Sequence, residues 1–298
     1  MFTYLLALLP VLLYFSNPIV QFFSPSPPQI RRLPRPQLNE DLLALEAANT
    51  TDISKYTCPP NTYRVHIFSR APLVLYIENF LALSERSHLL EISEPLYQPS
   101  TVTHNAGETT SHAPSIRDSE VALVPRTDTV RCIEDRARAL QGWRDEVWIE
   151  RLRVQRYRAG GHYAHHFDWS TGRGGWGRVG SFMVWVADSD TASPGSEEGD
   201  GGERLEGGGT EFPYLKGKGD RRWCRFVECS QSQEGEEGME DGERKGVVFK
   251  VVPGNAVYWE NFMADGTGRG YEETWHAGLP VKKGVKVGLN IWSWGRIE

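Results

Sequence analysis

The sequence lacks an excess of basic residues. Its 298 residues contain 33 Lys and Arg against 39 Asp and Glu, so the formal net charge is −6. Nucleic-acid binding needs a basic face that neutralises phosphates, and the composition therefore gives no reason to expect a nucleic-acid partner. Hydrophobic residues make up 39% and charged residues 24% of the chain, which is ordinary for a folded domain with a buried core.

Cysteine is scarce as well. The chain has Cys58, Cys132, Cys224 and Cys229, and no two of them form a Cys-x-x-Cys pair. This absence argues against a structural zinc ribbon. Cys224 and Cys229 lie five residues apart in a predicted loop, so they can close a small disulfide if the chain folds in an oxidising compartment.

The N-terminal segment has no charged side chain in its first 30 residues, and Tyr4 to Phe15 is an apolar run interrupted only by Pro10. A helix needs about 20 apolar residues to cross a bilayer, and residues 2–23 reach that length if their few polar residues are tolerated. The segment lacks a basic n-region and a clear cleavage site. Residues 1–23 are therefore predicted to be a membrane anchor, with a cleaved signal peptide or a soluble terminus as the alternatives.

The expected cellular location rests on three clues. The arginines between Arg31 and Arg35 follow the apolar segment and favour a cytosolic body by the positive-inside tendency. The glycosylation sequon at Asn49 and the Cys224–Cys229 pair favour the secretory route instead. We expect the endoplasmic reticulum, with a membrane-anchored chain whose folded part is lumenal. The membrane topology stays open.

Residues 24–61 are predicted to form a spacer, because residues 24–36 (SPSPPQIRRLPRP) are rich in proline and favour an extended chain. Residues 62–146 show a strand at Leu73–Ile77 and then helical periodicity. The two predicted helices are one capped by Ser84 and ended by Pro95, and one from about Thr129 to Gln141.

Residues 147–298 change to the alternating pattern of β-strands separated by glycine-rich turns. Several short strands without intervening helices predict a jelly roll, a sandwich or a barrel. Acidic, glycine-rich insertions near 188–209 and 230–246 are too polar to bury, so they are predicted to be flexible loops. The predicted strands are Trp148–Tyr157, Phe182–Ala187, Val247–Val252, Ala256–Trp259 and Val285–Trp294.

A candidate metal site lies in Tyr157–Trp169 (YRAGGHYAHHFDW). His166 and Asp168 stand two residues apart, so on a strand both side chains point to the same face. They supply two of the three ligands of a 2-His-1-carboxylate triad, the arrangement found in non-haem iron(II) oxygenases. His162 and His165 are rival ligands, but neither has a carboxylate two residues later.

The second histidine has to come from a distant strand. His276 is the last histidine of the chain, 110 residues after His166, and Lys286 follows it by ten residues. On the alternating strand, Lys286 and Trp292 share one face. A lysine beside a metal in a barrel suits the distal carboxylate of a dicarboxylate ligand. A solvent-facing lysine on an edge strand is the alternative.

Three motifs follow one another along the chain. They are Y-x-x-G-G-x-Y-x-x-H-F-D at Tyr157–Asp168, G-G-T-E-F-P at Gly208–Pro213, and a histidine followed by a proline and then a lysine at His276–Lys286. In this order they resemble the catalytic domain of prolyl 4-hydroxylases, which are Fe(II)- and 2-oxoglutarate-dependent dioxygenases. Pieces at Ile77–Phe80 and Val252–Val257 extend the resemblance to roughly residues 72–296.

The resemblance implies a mainly β fold with flanking helices, a double-stranded β-helix or jelly roll. It implies hydroxylation of peptidyl proline in a protein or peptide. Fe(II) would be the metal cofactor and L-ascorbate its reductant, 2-oxoglutarate and O2 would be the co-substrates, and succinate and CO2 would be the co-products. It gives no expectation about oligomers.

The resemblance also implies roles for particular residues. For Glu150, to which the resemblance gives a peptide contact, a solvated strand residue is the alternative, because simple alternation places Glu150 on the opposite face from Tyr157. For Thr210, to which it gives a supporting contact, a plain turn residue is the alternative. The implied roles are iron ligands for His166, Asp168 and His276, the 2-oxoglutarate anchor for Lys286, the lining of its pocket for Tyr157 and Trp292, peptide contacts for Glu150 and Arg178, and support of the metal strands for Thr210.

Two departures from the family pattern bear on the substrate. The stretch between Asp168 and Arg178 is short and carries Trp169 and Trp176 where relatives often have a longer substrate-covering loop, and the acidic insertions are unusual. Three alternatives stay open. They are a 2-oxoglutarate hydroxylase of another residue or a small molecule, a catalytically silent binding module of the same fold, and a zinc or manganese cupin.

Overall fold

The computed structural model describes residues 33–46, 56–104, 109–111, 113–172, 174–188, 204–229 and 245–297. The predicted anchor at residues 1–23, the sequon and most of both acidic insertions lie outside these ranges. Within them, no helix is both long and apolar enough to span a bilayer. The anchor therefore stays a prediction.

Antiparallel strands make up most of the domain. The strands are β1 (Arg64–Arg70), β2 (Leu73–Glu78), β3 (Gln98–Pro99), β4 (Val102–His104), β5 (Thr109–Ser111), β6 (Arg117–Asp118), β7 (Glu120–Leu123), β8 (Val147–Ile149), β9 (Arg153–Tyr157), β10 (His162–His166), β11 (Trp176–Ala187), β12 (Glu206–Gly207), β13 (Thr210–Lys216), β14 (Lys245–Phe249), β15 (Ala256–Glu260), β16 (His276–Gly278), β17 (Val281–Lys283) and β18 (Lys286–Arg296). The larger sheet has the order β1-β2-β15-β11-β18-β9-β7-β3, with β8 also paired to β18. The smaller sheet has the order β14-β13-β16-β10-β6.

The two sheets pack face to face around an aromatic core. Met183 and Trp185 of β11 lie in the core between the sheets, whereas Phe182 lies in the core on the other side of the larger sheet. Alternate residues of a strand point to opposite faces, so β11 is buried on both. The Phe212 and Trp259 rings join the sheets with centroids 5.2 Å apart. This is the mainly β, jelly-roll architecture that the sequence predicts.

Two helices, α1 (Leu83–Ser93) and α2 (Asp128–Leu140), cover the outer face of the larger sheet. Ser84 was predicted to cap α1, and this is wrong, because Ala82 is the N-cap and Ser84 lies inside the helix. The Ala82 N–H donates to the Glu85 carboxylate at 2.8 Å. At α2 the Thr127 hydroxyl caps the helix by accepting from the Val130 N–H.

The strand predictions hold in position but not in length. Most observed strands extend beyond their prediction, because pairing to neighbours continues past the most apolar residues. The segment predicted as one strand at Trp148–Tyr157 is divided into β8 and β9. Glu150, in the gap, forms an isolated bridge to Leu43, so contact with a distant segment interrupts the strand.

Two disulfides are present. Cys224 and Cys229 are joined, as predicted. Cys58 and Cys132 are joined as well, and this bond ties the segment before β1 to α2. The second pair was not predicted from the sequence, because 74 residues separate the two cysteines and spacing alone does not identify a long-range disulfide.

Candidate active site

The three predicted metal ligands come together on neighbouring strands of the smaller sheet. His166 ends β10, Asp168 begins a 3-10 turn just after it, and His276 begins β16. β10 and β16 pair antiparallel with His166 opposite His276. Strand pairing therefore brings together side chains that lie far apart in the sequence.

The ligand atoms converge on one point. His166 Nε2 lies 3.7 Å from Asp168 Oδ1, and His276 Nε2 lies 3.9 Å from Asp168 Oδ2. All three ligand atoms lie within 4.8 Å of one another, which is within reach of one ion. Two imidazole nitrogens and a carboxylate form the ligand set of non-haem iron(II) enzymes, so the residues present fit that metal.

Main-chain contacts orient both histidine rings. Nδ1 of His166 lies 2.8 Å from the Ala164 carbonyl, and Nδ1 of His276 lies 2.8 Å from the Thr274 carbonyl. A carbonyl can only accept, so each Nδ1 carries the proton and each Nε2 offers a lone pair to a metal. Burial lowers the pKa of His166 to about 3, and burial also lowers the pKa of His276. Both rings are therefore neutral at pH 7, as ligands must be.

Asp168 is held as a carboxylate. It is 4% exposed, and burial by itself opposes ionisation. The two histidines, Arg178 and a hydrogen bond from Ser181 outweigh that cost, so the pKa of the Asp168 carboxyl lies below its ordinary value. The metal ligand with a negative charge is thus ionised at neutral pH.

The two rival histidines lie elsewhere. Nε2 of His165 pairs with the Glu211 carboxylate at 2.8 Å. The His162 ring contacts the carbonyls of Gly160 and Ser115. Neither side chain belongs to the group of converging ligand atoms.

Lys286 lies at the far end of a cavity that adjoins the metal ligands. It is 2% exposed, and its Nζ donates to the Gly208 carbonyl at 2.6 Å. No carboxylate of the described ranges pairs with it, and burial lowers its pKa to about 7. The cavity is lined by Gln155, Tyr157, Tyr163, His166, Asp168, Phe182, Met183, Thr210, Trp259, His276, Gly278, Lys286, Asn290 and Trp292.

Several buried polar atoms in this cavity have no hydrogen-bond partner among the residues that the structure describes. They are Thr210 Oγ1, Gln155 Nε2 and Trp259 Nε1. A buried polar group without a partner costs about 1–3 kcal/mol, which the fold does not tolerate without a reason. A polar ligand with several acceptor oxygens would satisfy these donors together with the Lys286 ammonium. The cavity therefore fits an organic dicarboxylate.

A buried ion pair lies beside the metal ligands and against Trp292, which lines the cavity. Arg178 Nε and Nη2 donate to the two carboxylate oxygens of Glu150 at 2.7 and 2.9 Å. The Arg178 guanidinium lies over the Trp292 ring, 3.8 Å from its centre, and 3.9 Å from Asp168 Oδ1. The two residues predicted to contact a peptide thus lie beside the metal ligands, and they contact each other.

The break between β8 and β9 explains how Glu150 reaches this position. Unbroken alternation would place Glu150 on the opposite face from Tyr157, but the segment Glu150–Leu152 is not part of a strand. The Glu150 N–H donates to the Trp292 carbonyl at 2.8 Å, and the Glu150 side chain is 2% exposed and paired with Arg178. The side-chain alternation predicted for one continuous strand therefore does not apply to Glu150.

Among the site residues that the sequence did not mark are Gln155 and Ser181. Gln155 lines the cavity and accepts from the Tyr157 hydroxyl at 3.1 Å, and its position two residues before Tyr157 on β9 was the available signal. Ser181 bonds to Asp168, and no motif marked it. Thr210 lines the cavity and pairs through its main chain with Gly278 of β16, but its hydroxyl has no hydrogen-bond partner among the described residues.

Comparisons with known proteins agree with this geometry. Residues 152–294 match the profile of the 2OG-Fe(II) oxygenase superfamily. The chain is 27% identical over 261 residues to prolyl 4-hydroxylase 2 of Arabidopsis thaliana, which covers 84% of this chain and 77% of the relative. It is 25% identical to the mouse prolyl 4-hydroxylase subunit alpha-3, covering 77% of this chain and 35% of that protein. A solved viral collagen prolyl hydroxylase from Paramecium bursaria Chlorella virus-1 matches with a TM-score of 0.47 and 22% identity, covering 74% and 96% of the two chains.

Residues 152–294 thus form a 2OG-Fe(II) oxygenase domain, and the protein is a 2-oxoglutarate-dependent dioxygenase that uses Fe(II) and O2. Within that superfamily the domain is prolyl 4-hydroxylase-like, as its sequence relatives show.

Proposed function

We propose that this protein hydroxylates proline residues in a peptide or protein, using Fe(II), 2-oxoglutarate and O2, and releases succinate and CO2. The observation that carries the proposal is the cavity itself. Two neutral histidines and one aspartate carboxylate meet at one point. Next to them are a buried lysine that has no carboxylate partner among the described residues and an ion pair whose Arg178 lies over Trp292.

His166, Asp168 and His276 would hold the iron, which together with 2-oxoglutarate and O2 supplies the oxidant for an unactivated C–H bond. The chain's own residues bind and orient the reactants. Lys286 and the free Thr210 hydroxyl would hold the distal carboxylate of 2-oxoglutarate, with Tyr157 beside the Lys286 ammonium at 5.3 Å. The aromatic walls exclude water, which strengthens these charged contacts.

Glu150, Arg178 and Trp292 would form the peptide end of the site. Arg178 is fixed in place by two hydrogen bonds to Glu150, so its remaining N–H groups can donate to peptide carbonyls. The flat Trp292 ring offers the apolar surface that a proline ring needs. L-Ascorbate, as in the family, would keep the iron in its reduced state.

The two disulfides support an oxidising compartment, for which we propose the lumen of the endoplasmic reticulum. Disulfides persist there and are rare in the cytosol. Alkylation of free thiols in the chain isolated from cells checks this, since four protected cysteines are expected before reduction. Four alkylated cysteines without reductant would contradict it.

The experiment for the activity uses the full chain, Fe(II), 2-oxoglutarate and a panel of peptides that differ only at one proline. We expect succinate release and a mass increase of one oxygen atom on the proline peptides alone. Equal oxidation of peptides in which alanine or lysine replaces that proline would reject the substrate. No succinate with any peptide would favour the silent binding module.

The ligand set is tested by metal binding. His276→Ala should lose iron binding and succinate release, because a bidentate remnant holds iron weakly. His165→Ala is the matched control, since this neighbour of His166 pairs with Glu211, and it should keep iron. Wild-type succinate release by His276→Ala would show that the distal ligand is another residue.

A further inference from the structure

One face of the larger sheet continues beyond the active site. Lys286 and Trp292 of β18 line the cavity, and Trp294 and Arg296 follow on the same face at two-residue intervals. Trp294 pairs across the sheet with Trp148 of β8 and with Arg178 of β11. The substrate end of the cavity therefore leads directly to a further row of aromatic side chains.

Three rings form what we call the tryptophan cluster: Trp148, Trp176 and Trp294. The rings of Trp176 and Trp294 stack with centroids 5.2 Å apart and planes 19° apart. Trp148 lies 6.3 Å from Trp176 and 6.0 Å from Trp294. The Trp148 ring is tilted by 40° and 47° to these two rings. Trp148 and Trp294 are only half-buried, so the cluster offers an accessible aromatic surface, the platform.

The chain's own proline-rich segment lies on this platform. The indole N–H of Trp176 donates to the Leu33 carbonyl at 3.3 Å, and the Leu33 N–H donates to the Gly174 carbonyl. The Arg35 guanidinium lies over the Trp148 ring, 5.7 Å from its centre. Leu33 to Pro36 reads Leu-Pro-Arg-Pro, and such segments favour the polyproline II conformation.

Aromatic platforms with an indole donor suit polyproline II peptides. That helix has no internal hydrogen bonds, so its carbonyls need outside donors, and aromatic-lined grooves bind it at low entropic cost. The contact between Trp176 and the Leu33 carbonyl has this chemistry. The segment therefore shows what kind of ligand the tryptophan cluster accepts.

The segment is lightly held where it lies on the cluster and firmly held a few residues later. Leu33 is 45% exposed, whereas Leu43 is 2% exposed. The Ala44 N–H donates to the Ile149 carbonyl at 2.8 Å, and the Arg151 N–H donates to the Leu42 carbonyl at 2.8 Å. The anchor at Leu43 keeps residues 33–36 near the cluster at high effective concentration, while their own contacts are few enough to be displaced.

We infer that the tryptophan cluster binds the flank of the peptide substrate as a polyproline II helix, and that residues 33–36 compete with it in cis. This inference rests on the proposed function. Two strand residues span about 7 Å and each polyproline II residue about 3 Å. A peptide that lies on Trp292 thus reaches Trp294 about two to three residues later, so only longer peptides use the cluster.

The first test compares a short peptide, which ends next to the target proline, with one that extends a proline-rich flank. In the full chain, Trp148→Ala should raise KM for the long peptide about tenfold, the loss typical of a central tryptophan contact, and leave the short peptide unchanged. Trp143→Ala is the matched control, because this 52% exposed tryptophan contacts Arg138 outside the cluster. Equal effects on both peptides would overturn the inference.

For a second variant we expect the opposite change in KM for the long peptide. Leu33→Ser with Arg35→Ser removes contacts of an exposed segment, so the fold is kept and the competitor is weakened. KM for the long peptide should fall about threefold, within the range that a lightly held tether imposes. Adding Trp148→Ala should abolish this gain, since both changes act on one platform. An unchanged KM in the Leu33→Ser, Arg35→Ser chain would show that the segment does not compete.

A binding measurement separates this inference from the proposed activity. The probe is the synthetic peptide SPSPPQIRRLPRP, the sequence of residues 24–36, titrated calorimetrically onto the full Leu33→Ser, Arg35→Ser chain without iron or 2-oxoglutarate. Trp148→Ala should weaken its binding about tenfold. If that holds while no peptide is oxidised, only the activity is wrong. If peptides are oxidised but probe binding ignores Trp148, the inference is wrong.

Discussion

Two cations are buried at the active site, Lys286 in the cavity and Arg178 beside the metal ligand Asp168, and they differ in their partners. The Lys286 ammonium has a main-chain carbonyl as its hydrogen-bond acceptor, and burial lowers its pKa to about 7. Burial opposes the charge of Arg178 too, but Glu150 outweighs it and raises the Arg178 pKa above its ordinary value. Arg178 is thus paired with a carboxylate, whereas Lys286 has no carboxylate partner among the described residues.

The presence or absence of a carboxylate partner distinguishes a structural charge from a charge that binds a ligand. A buried ion pair with good hydrogen bonds is self-sufficient, and breaking it is costly. A buried lysine with no acid partner is a cost to folding that persists only where function requires it. The Glu150–Arg178 pair therefore has a structural role, whereas the Lys286 ammonium gains a carboxylate partner when the dicarboxylate co-substrate binds.

The largest expected effect comes from removing the built-in counter-ion. Glu150→Ala should lower the free energy of unfolding by about 3–5 kcal/mol, the loss typical of a buried charge that loses its partner. Chemical denaturation of the two full chains measures this. The matched control is Glu206→Ala, which breaks the exposed pair with Lys283 and should cost less than about 1 kcal/mol. Similar losses for both variants would show that the Glu150–Arg178 pair is not structural.

Removing the lysine should have the opposite effect on stability. The folded-state pKa of Lys286 lies below the ordinary 10.5, so the unfolded chain binds more protons between about pH 7 and pH 10.5 and wild-type stability rises across that window. Lys286→Met should be the more stable chain by about 5 kcal/mol below pH 7, because a pKa lowered from 10.5 to about 7 corresponds to about 1.4 kcal/mol per unit. The advantage should shrink as the pH approaches 10.5. Denaturation at several pH values checks the slope, and a constant difference would mean that Lys286 does not titrate as a buried group.

The same lysine should matter for the co-substrate and not for the metal. A charge-assisted contact is worth about 1.5–3 kcal/mol, so Lys286→Ala should raise KM for 2-oxoglutarate tenfold or more. Iron affinity, measured with the metal alone, should be unchanged. Lys286→Arg should be milder but not neutral, because its fork is bulkier than an ammonium. An unchanged KM for 2-oxoglutarate in Lys286→Ala would show that this co-substrate is not the counter-ion of Lys286.

The smallest expected effect concerns Thr210. Its hydroxyl is buried in the cavity without a partner in the protein, so it should gain a hydrogen bond when the dicarboxylate enters. Thr210→Val keeps the shape and removes that bond, which should weaken 2-oxoglutarate binding by about 1 kcal/mol, or roughly fivefold. Stability should not fall, because no bond is lost in the empty chain. A loss of stability with unchanged affinity would instead support the predicted contact to the metal strands.

Much of the site was predictable because its spacing is local. His166 and Asp168 lie two residues apart and were predicted to share a strand face; Asp168 lies in the 3-10 turn just after β10, yet its carboxylate still meets His166. Lys286 and Trp292 share one face of β18. The rule that alternate strand residues share a face needs no tertiary structure. The joining of His276 to the first two ligands rested on the family resemblance, and strand pairing between β10 and β16 realises it.

Two predictions failed, and one long-range bond was not predicted at all. Ser84 was predicted to cap α1, but Ala82 is the N-cap and its N–H donates to the Glu85 carboxylate. The strand through Glu150 was taken as continuous, although Leu43 interrupts it from more than a hundred residues away. The Cys58–Cys132 bond joins elements that no spacing rule connects.

The sequence by itself therefore determined the chemistry of the site, namely which residues can bind iron and which lysine can bind a dicarboxylate, because ligand type and period-two spacing are properties of short segments. Only the tertiary structure decided which charged groups are buried and which of them have a partner of opposite charge. Whether Arg178 finds Glu150, whether Lys286 stays unpaired and whether residues 33–36 lie on the tryptophan cluster all depend on contacts between segments far apart in the chain. Burial and pairing set the energy of a charge, and both exist only once the sheets have packed.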